Sequence, residues 1–297
     1  MHVVIAGGTG FLGSALAAAL RRETHDVTVL SRRGSGSGTI RWTPNGTVGD
    51  WANALDDADA VINLAGESIA AGRWTAARKA AIRASRVSAT RSLVLAIRQA
   101  RRPPATFLSA SAVGYYGSRG TETLTERSAP GNDFLARVCR EWESEAMAAA
   151  SATRVVLLRT GLVLDRNEGA FPRIALPFRL FTGGPVGSGR QYWSWIHRDD
   201  WVGLALWALR NAAVAGPINL TAPAPVTNRE FAATLGRVMR RPAFMPAPAF
   251  VLRLALGEMA DALLLAGQRV LPAAAEQSGY GFEYSALEPA LLRILTA

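Results

Sequence analysis

Gly7, Gly10 and Gly13 are spaced as Gly-x-x-Gly-x-x-Gly, between the β-branched run Val3-Val4-Ile5-Ala6 and an alanine-rich stretch with helical periodicity. This spacing can hold an anion on the backbone. Gly7 permits a tight turn off the strand, Gly10 lets a ligand approach without a Cβ in the way, and Gly13 allows the helix to pack closely on the sheet. From Thr9 through Phe11 and Leu12 to Gly13 the chain opens a helix, whose unpaired N–H groups and positive dipole end favour a pyrophosphate. An ordinary strand-to-helix turn shares the glycine spacing, but its place after the first strand and before the first helix points to dinucleotide binding. The next β-branched run, Val27 to Leu30, ends in Ser31-Arg32-Arg33. A carboxylate there would take the 2′-hydroxyl of NAD, whereas two guanidiniums can fork onto a 2′-phosphate, so the expected cofactor is NADP(H). The alternative for Arg32 and Arg33 is a solvated basic turn ahead of the Gly/Ser-rich loop at 34–38.

Positioning these residues requires a parallel sheet covered by helices. Strands are expected near 3–6, 27–30, 60–65, 105–109 and 155–159, with a return strand near 217–221. Leu12–Arg21, Thr75–Gln99 and Asp133–Ala150 carry apolar residues at helical spacing between them. The fold class is α/β, a Rossmann-type doubly wound sheet over residues 1–165. Residues 166–297, punctuated by Gly183-Gly184-Pro185 and mostly helical after Asn228, form a smaller substrate-side domain.

Composition narrows the function. The 297 residues are 49% hydrophobic and carry a formal net charge of +10, enough for a large core. The arginines are dispersed, without the basic stripe of a nucleic-acid binder, so the charge suits an anionic cofactor or substrate. A single cysteine, Cys139, and three scattered histidines provide neither a disulfide nor a metal cluster. The amino terminus lacks a signal-peptide pattern and no apolar run is long enough to span a bilayer. A cytoplasmic protein with a small-molecule substrate, no nucleic acid and no membrane is expected; a homodimer is compatible with the sequence.

The sequence resembles the extended short-chain dehydrogenase/reductases, and more closely the NAD-dependent epimerase/dehydratase-like branch labelled cell-division-inhibitor-like epimerases. The resemblance rests on Gly7–Gly13, the segments 61–67 and 109–117, Arg73-Trp74, Ser85-Arg86, Gly183-Gly184-Pro185 and Trp195-Ile196-His197, with a small C-terminal domain from Pro248 to Gly279. It implies that Leu64, Ala65 and Gly66 line the adenosine half of the cofactor, and that Arg86 reaches its phosphates or ribose. Ser109 and Ser111 fall where relatives bind a substrate hydroxyl or carbonyl, Ser111 being the better candidate, and Arg159 to Val163 resembles the turn beside the nicotinamide. Arg78, Lys79, Arg83 and Arg86 can also be read as one solvated helix face, and His197 as a structural hydrogen-bonding group rather than a proton carrier.

One departure limits the resemblance. Short-chain dehydrogenases pair a Tyr with a Lys four residues later; the Lys holds the ribose and lowers the Tyr pKa. Here the only lysine is Lys79, and the corresponding helix places Leu135 and Cys139, or Phe134 and Val138, at the two positions. Tyr115 or Tyr116, with Ser111, remains to polarise a substrate oxygen, with Cys139 as a more remote acid. Tyr115 and Arg119 share the dyad spacing, but Gly114, Gly117 and Gly120 make their segment a loop. Two functions follow: an NADP-dependent epimerase or oxidoreductase with an atypical proton donor, acting on a small polar or nucleotide-linked substrate, or a catalytically inactive NADPH-binding regulator.

Overall fold

A computed structural model describes residues 1–34 and 36–296. In chain order the elements are β1 (His2–Ala6), α1 (Phe11–Arg22), β2 (Asp26–Ser31), β3 (Thr39–Arg41), β4 (Ala60–Asn63), α2 (Ala76–Gln99), β5 (Thr106–Ala112), β6 (Thr123–Leu124), α3 (Phe134–Met147), β7 (Arg154–Thr160) and β8 (Leu162–Leu164). There follow α4 (Phe171–Arg179), β9 (Tyr192–Trp193), β10 (Trp195–His197), α5 (Arg198–Arg210), β11 (Gly216–Leu220), β12 (Val226–Thr227), α6 (Asn228–Met239), α7 (Ala249–Leu256), α8 (Glu258–Ala260), β13 (Arg269–Val270), α9 (Ala273–Gln277) and α10 (Leu287–Thr296).

Seven strands form one parallel sheet in the order β11-β7-β5-β4-β1-β2-β3. Strand alternation sorts the apolar residues between its faces. Val3 and Ile5, Ala60 and Ile62, and Val156 and Leu158 face α1 and α5, where Leu16, Leu20, Trp201 and Leu204 complete one core. Val4 and Ala6, Val61, Phe107, and Val155 and Leu157 face the other way, onto Leu93 and Ile97 of α2, Ala146 of α3, and Trp42 and Trp51. Helix α2 begins at Thr75, whose side chain accepts the Arg78 N–H, a standard cap. Helix α5 and strand β11 therefore belong to the sheet's layers, although both follow residue 166.

The rest of the second half makes its own core. Phe171, Phe178, Trp193, Trp195, Phe231, Leu235, Leu291 and Ile294 pack from α4, β9, β10, α6 and α10. Two two-stranded ladders, β8 with β10 and β6 with β13, join it to the segments that follow β7 and β5, and a third, β9 with β12, lies within it. Asp200 in the first turn of α5 accepts the N–H groups of Glu283 and Tyr284 at 2.8 and 2.9 Å. Glu126 similarly accepts the N–H groups of Asn219 and Ala274. A further apolar contact joins Trp74, Ile82, Phe134 and Leu135 to Leu256, Met259 and Leu263, so the C-terminal segment covers the start of α3.

Candidate functional site

The chain winds outward from β1 to β3 on one side and from β4 to β11 on the other, so a crevice opens beyond the carboxyl ends of β1 and β4. The glycine turn fills it. Gly7 has φ +79°, and a Cβ there would lie 2.7 Å from the Leu64 carbonyl carbon and 2.8 Å from the Ala65 nitrogen, so the turns after β1 and β4 touch. A Cβ on Gly13 would stand 2.2 Å from the Gly7 oxygen; Gly13 is needed for packing of α1 on the turn itself, more than on the sheet. Gly10 differs from both, since the nearest atom to its Cβ position is the Gly7 oxygen at 3.4 Å. Its outer side is open. Gly10 is also the residue before α1, and no side chain caps that helix, so its first N–H groups, beside exposed Thr9 and half-buried Phe11 and Leu12, keep their capacity for an anion.

At the end of β2, the buried Ser31 hydroxyl accepts the Arg33 N–H at 3.3 Å. Arg32 and Arg33 are exposed, and among the described residues the ion pairs include neither. Arg41 of β3 is in register with Ser31, which adds a third guanidinium to this edge; sequence patterning gave no sign of it, because the glycine-rich loop conceals so short a strand.

Beyond β4, Leu64 and Ala65 are half-buried and Gly66 is exposed. The Arg86 guanidinium lies against Gly66, its Cζ 3.4 Å from that residue's Cβ position, and 5.3 Å from the centre of the Trp142 ring. It is therefore not part of a solvated face. Arg78 binds Glu67 at 2.5 Å, Lys79 binds Glu258 at 2.7 Å, and Arg83 pairs with Glu141. Burial lowers the Arg86 pKa, the Cys139 thiol and Glu67 opposing the shift and Arg78 adding to it.

Beyond β5 is a buried polar network. The Ser111 hydroxyl donates to Glu143 Oε1 at 2.6 Å, and Arg159 grips the same carboxylate through two bonds of 2.8 Å. Arg159 also donates to the Tyr116 hydroxyl at 3.0 Å, which donates to Asn219 Oδ1 at 2.7 Å. Burial pushes the Tyr116 phenol up to about 12, despite the neighbouring Arg159. Burial lowers the basicity of Arg159 itself, but the Glu143 bonds outweigh it and its pKa is raised. Tyr115 is placed differently. Its ring lies under the Arg159 guanidinium, 3.5 Å from Cζ to ring centre, a cation–π contact that fixes the ring, while its half-buried hydroxyl has no hydrogen-bond partner among the described residues. Arg119 turns away to Glu122 at 3.0 Å, so it and Tyr115 make no pair.

Ser109, fully buried on β5, has a hydroxyl without a hydrogen-bond partner among the described residues. Val163 is buried in β8 against the α5 layer. Leu135 packs in the apolar contact with Met259 and Leu263, and burial raises the Cys139 thiol to about 12, Glu143 adding to the shift. Neither is a proton donor near neutral pH. His197 caps α5, its Nδ1 accepting the Asp199 N–H at 3.1 Å; burial holds its pKa below the ordinary imidazole value. The contact caps the helix through a backbone N–H, with the Asp199 carboxylate 3.8 Å from the same nitrogen. Glu143, Asn219 and Glu126 were not among the expected site residues; the available signal was an arginine inside the otherwise apolar strand Arg154–Thr160. A shallow depression on α5, lined by Gly203, Trp207 and Tyr280, lies near Arg210, which pairs with Glu23 beyond the far end of α1, remote from the glycine turn.

A doubly wound parallel sheet with its glycine turn at the reversal of strand order is the Rossmann-type fold. The model of the NAD dependent epimerase/dehydratase family matches residues 3–220, and that of a domain of unknown function (DUF1731) matches residues 247–294. The chain belongs to the NAD dependent epimerase/dehydratase family. It is 42% identical over 291 residues to epimerase family protein ML0860 of Mycobacterium leprae, covering 97% of this chain and 94% of that one. The crystal structure of human epimerase family protein SDR39U1 (isoform 2) with NADPH superposes with a TM-score of 0.93 at 37% identity, over 100% of this chain and 99% of that one. A nucleoside-diphosphate sugar epimerase from Corynebacterium glutamicum gives 0.81 at 36% identity, over 99% of this chain and 58% of that one.

Proposed function

We propose that the protein binds NADP(H) across the crevice and acts as an epimerase or oxidoreductase on a small polar or nucleotide-linked substrate. The observation that carries the cofactor assignment is the pair Arg32 and Arg33, exposed and without carboxylate partners among the described residues at the end of β2. The open side of Gly10 and the uncapped start of α1 would receive the pyrophosphate. Leu64, Ala65 and Gly66 are assigned to the wall of the adenosine half, and Ser109 and Val163, both buried in this structure, to the other half. That the human relative was crystallised with NADPH supports the reading.

Bound NADP(H) would supply or accept the electron pair of a carbonyl–alcohol interconversion. The residues assigned to the substrate oxygen are Ser111 and Tyr115: Glu143 holds the Ser111 hydroxyl, and Arg159 holds the Tyr115 ring, leaving its phenol to exchange the proton. In this reading the chain after residue 165, apart from α5 and β11, forms the substrate side. A second reading, an inactive NADPH-binding regulator, is favoured by one observation: the apolar packing of Leu135 where a tyrosine acid would stand.

Calorimetric titration with NADPH and NADH tests the cofactor reading. A preference for NADPH of at least tenfold, about 1.4 kcal/mol, is expected, and it should vanish in the double variant Arg32→Ala/Arg33→Ala; equal affinities in the native protein would refute it. Oxidation of NADPH in the presence of a panel of carbonyl compounds separates enzyme from regulator.

A further inference from the structure

Eight of the eleven large apolar side chains exposed among the described residues fall in two short stretches, 176–181 and 244–254. Scattered singly they would need no explanation, but the two stretches are neighbours. The Met245 N–H donates to the Gly183 carbonyl at 3.1 Å and the Ala247 N–H to the Pro185 carbonyl at 2.9 Å, which lays the run before α7 along the run after α4. Arg241 stacks on the Phe181 ring, 4.2 Å from Cζ to ring centre, and with Arg179 it borders a shallow depression that reaches Leu292 on α10. Helix α7, Ala-Phe-Val-Leu-Arg-Leu-Ala-Leu, continues the strip and buries none of its residues. Its exposed Phe250, Val251 and Leu254 share one face by their spacing, while the half-buried Leu252 and Leu256 hold the opposite side.

Charge decides what can cover this strip. Residues 169–198 and 231–257, which contain both stretches, carry eight arginines and no aspartate or glutamate. Arg198, Arg237 and Arg253 take carboxylates from elsewhere in the chain, but Arg179, Arg240 and Arg241, all exposed, pair with none among the described residues. A second copy is a poor occupant, because two-fold pairing would lay the strip on itself, cation against cation. Phe244, Phe250 and Leu254 are 77%, 71% and 78% exposed, so they stand out as separate points rather than line a groove that a protein partner could fill closely. Apolar points among arginines suit an interface of acyl chains and acidic headgroups, where the apolar side chains insert and the guanidiniums take phosphates.

We infer that this strip is a docking surface for a bilayer rich in acidic lipids, with α7 and the run before it lying at headgroup level. No helix among the described residues is long and apolar enough to cross a membrane, so the contact is peripheral. It departs from the expectation of no membrane, which rested on the lack of a spanning run.

Cosedimentation with vesicles of phosphatidylcholine alone, and of phosphatidylcholine with an equal share of phosphatidylglycerol, tests this. The native protein should bind the acidic vesicles at least tenfold more strongly than the neutral ones. Phe250→Gln/Leu254→Gln and Arg179→Gln/Arg240→Gln should each weaken that binding at least fivefold and leave the melting temperature at the native value, since all four side chains are exposed. Arg22→Gln/Arg98→Gln removes the same charge from exposed positions on α1 and α2 and should change binding by less than twofold. The inference is overturned if the native protein ignores acidic vesicles, if both vesicle types bind equally, or if either strip variant binds like the native protein. Equal weakening by Arg22→Gln/Arg98→Gln would also overturn it, leaving only the general attraction of a chain of net charge +10. So would a dimer in sedimentation velocity that Phe250→Gln/Leu254→Gln dissociates, because the strip would then cover itself.

Discussion

Removing one partner of the Glu143–Arg159 pair should reveal how strongly the end of β5 depends on it. Both side chains are almost fully enclosed, 8% and 4% exposed, and they share two 2.8 Å hydrogen bonds. Glu143→Gln leaves the guanidinium without its counter-charge and presents an amide to a donor. Breaking a buried pair from one side costs about 3–5 kcal/mol. At roughly 2.1 cal/mol/K per residue, a chain of this length unfolds with an entropy near 0.6 kcal/mol/K, so the melting temperature should fall by about 5–8 °C. Arg159→Met should cost a similar amount. The double variant Glu143→Gln/Arg159→Met should be less destabilised than the two single losses together by at least about 1 kcal/mol, because the second substitution removes the stranded charge. Urea unfolding of the four proteins measures this cycle. Single losses below about 1 kcal/mol, or strict additivity, would refute the view that the pair is a desolvated, mutually dependent unit.

Gly13→Ala forces a Cβ to 2.2 Å from the Gly7 oxygen and should lower stability by about 1–3 kcal/mol or more, whereas Gly10→Ala should fold normally and lose NADPH affinity; denaturant unfolding and calorimetry distinguish the two. Tyr115→Phe should reduce turnover about a hundredfold on any substrate that the native protein converts, with NADPH affinity preserved, and full activity would move the proton donor elsewhere. The depressed pKa of His197 means that its neutral form stabilises the fold above the unfolded value, about 6.5, and that this stability is lost as pH falls through the folded value. The melting temperature of the native protein should therefore drop more between pH 7.5 and 5 than that of His197→Asn, which keeps a capping acceptor; parallel curves would exclude His197 as the cause.

The main sheet was legible because its strands are short apolar runs separated by amphipathic helices, and the glycine turn because its position leaves few other uses for that spacing. What escaped depends on contacts between distant residues. Glu143 looks like an ordinary helical glutamate until Arg159, on β7, is brought beneath it. Tyr115 and Tyr116 are adjacent in sequence, yet one hydroxyl is buried against Asn219 and the other is not, a distinction set by β11 more than a hundred residues on. The strands of two or three residues at 39–41, 192–193 and 269–270 are too short to show a period. Arg86 lay within a row of basic residues at helical spacing, and only the carboxylates that bind its neighbours set it apart.

The carboxylate of Glu126 joins residues that leave the ribosome at very different times. It accepts from Asn219 and from Ala274, 148 positions further along than itself, and β13 lays Val270 into the apolar contact of Tyr116 and Leu124. At about 5–20 residues per second, that interval of synthesis lasts roughly 7–30 s. For the last third of that time, once β11 has been made, the growing chain carries every strand of the large sheet while its Tyr116 side has yet to receive its cover. Premature termination between residues 220 and 270 should thus yield a product with an exposed aromatic surface, prone to association and to recognition by chaperones, even though every strand of the large sheet has been made.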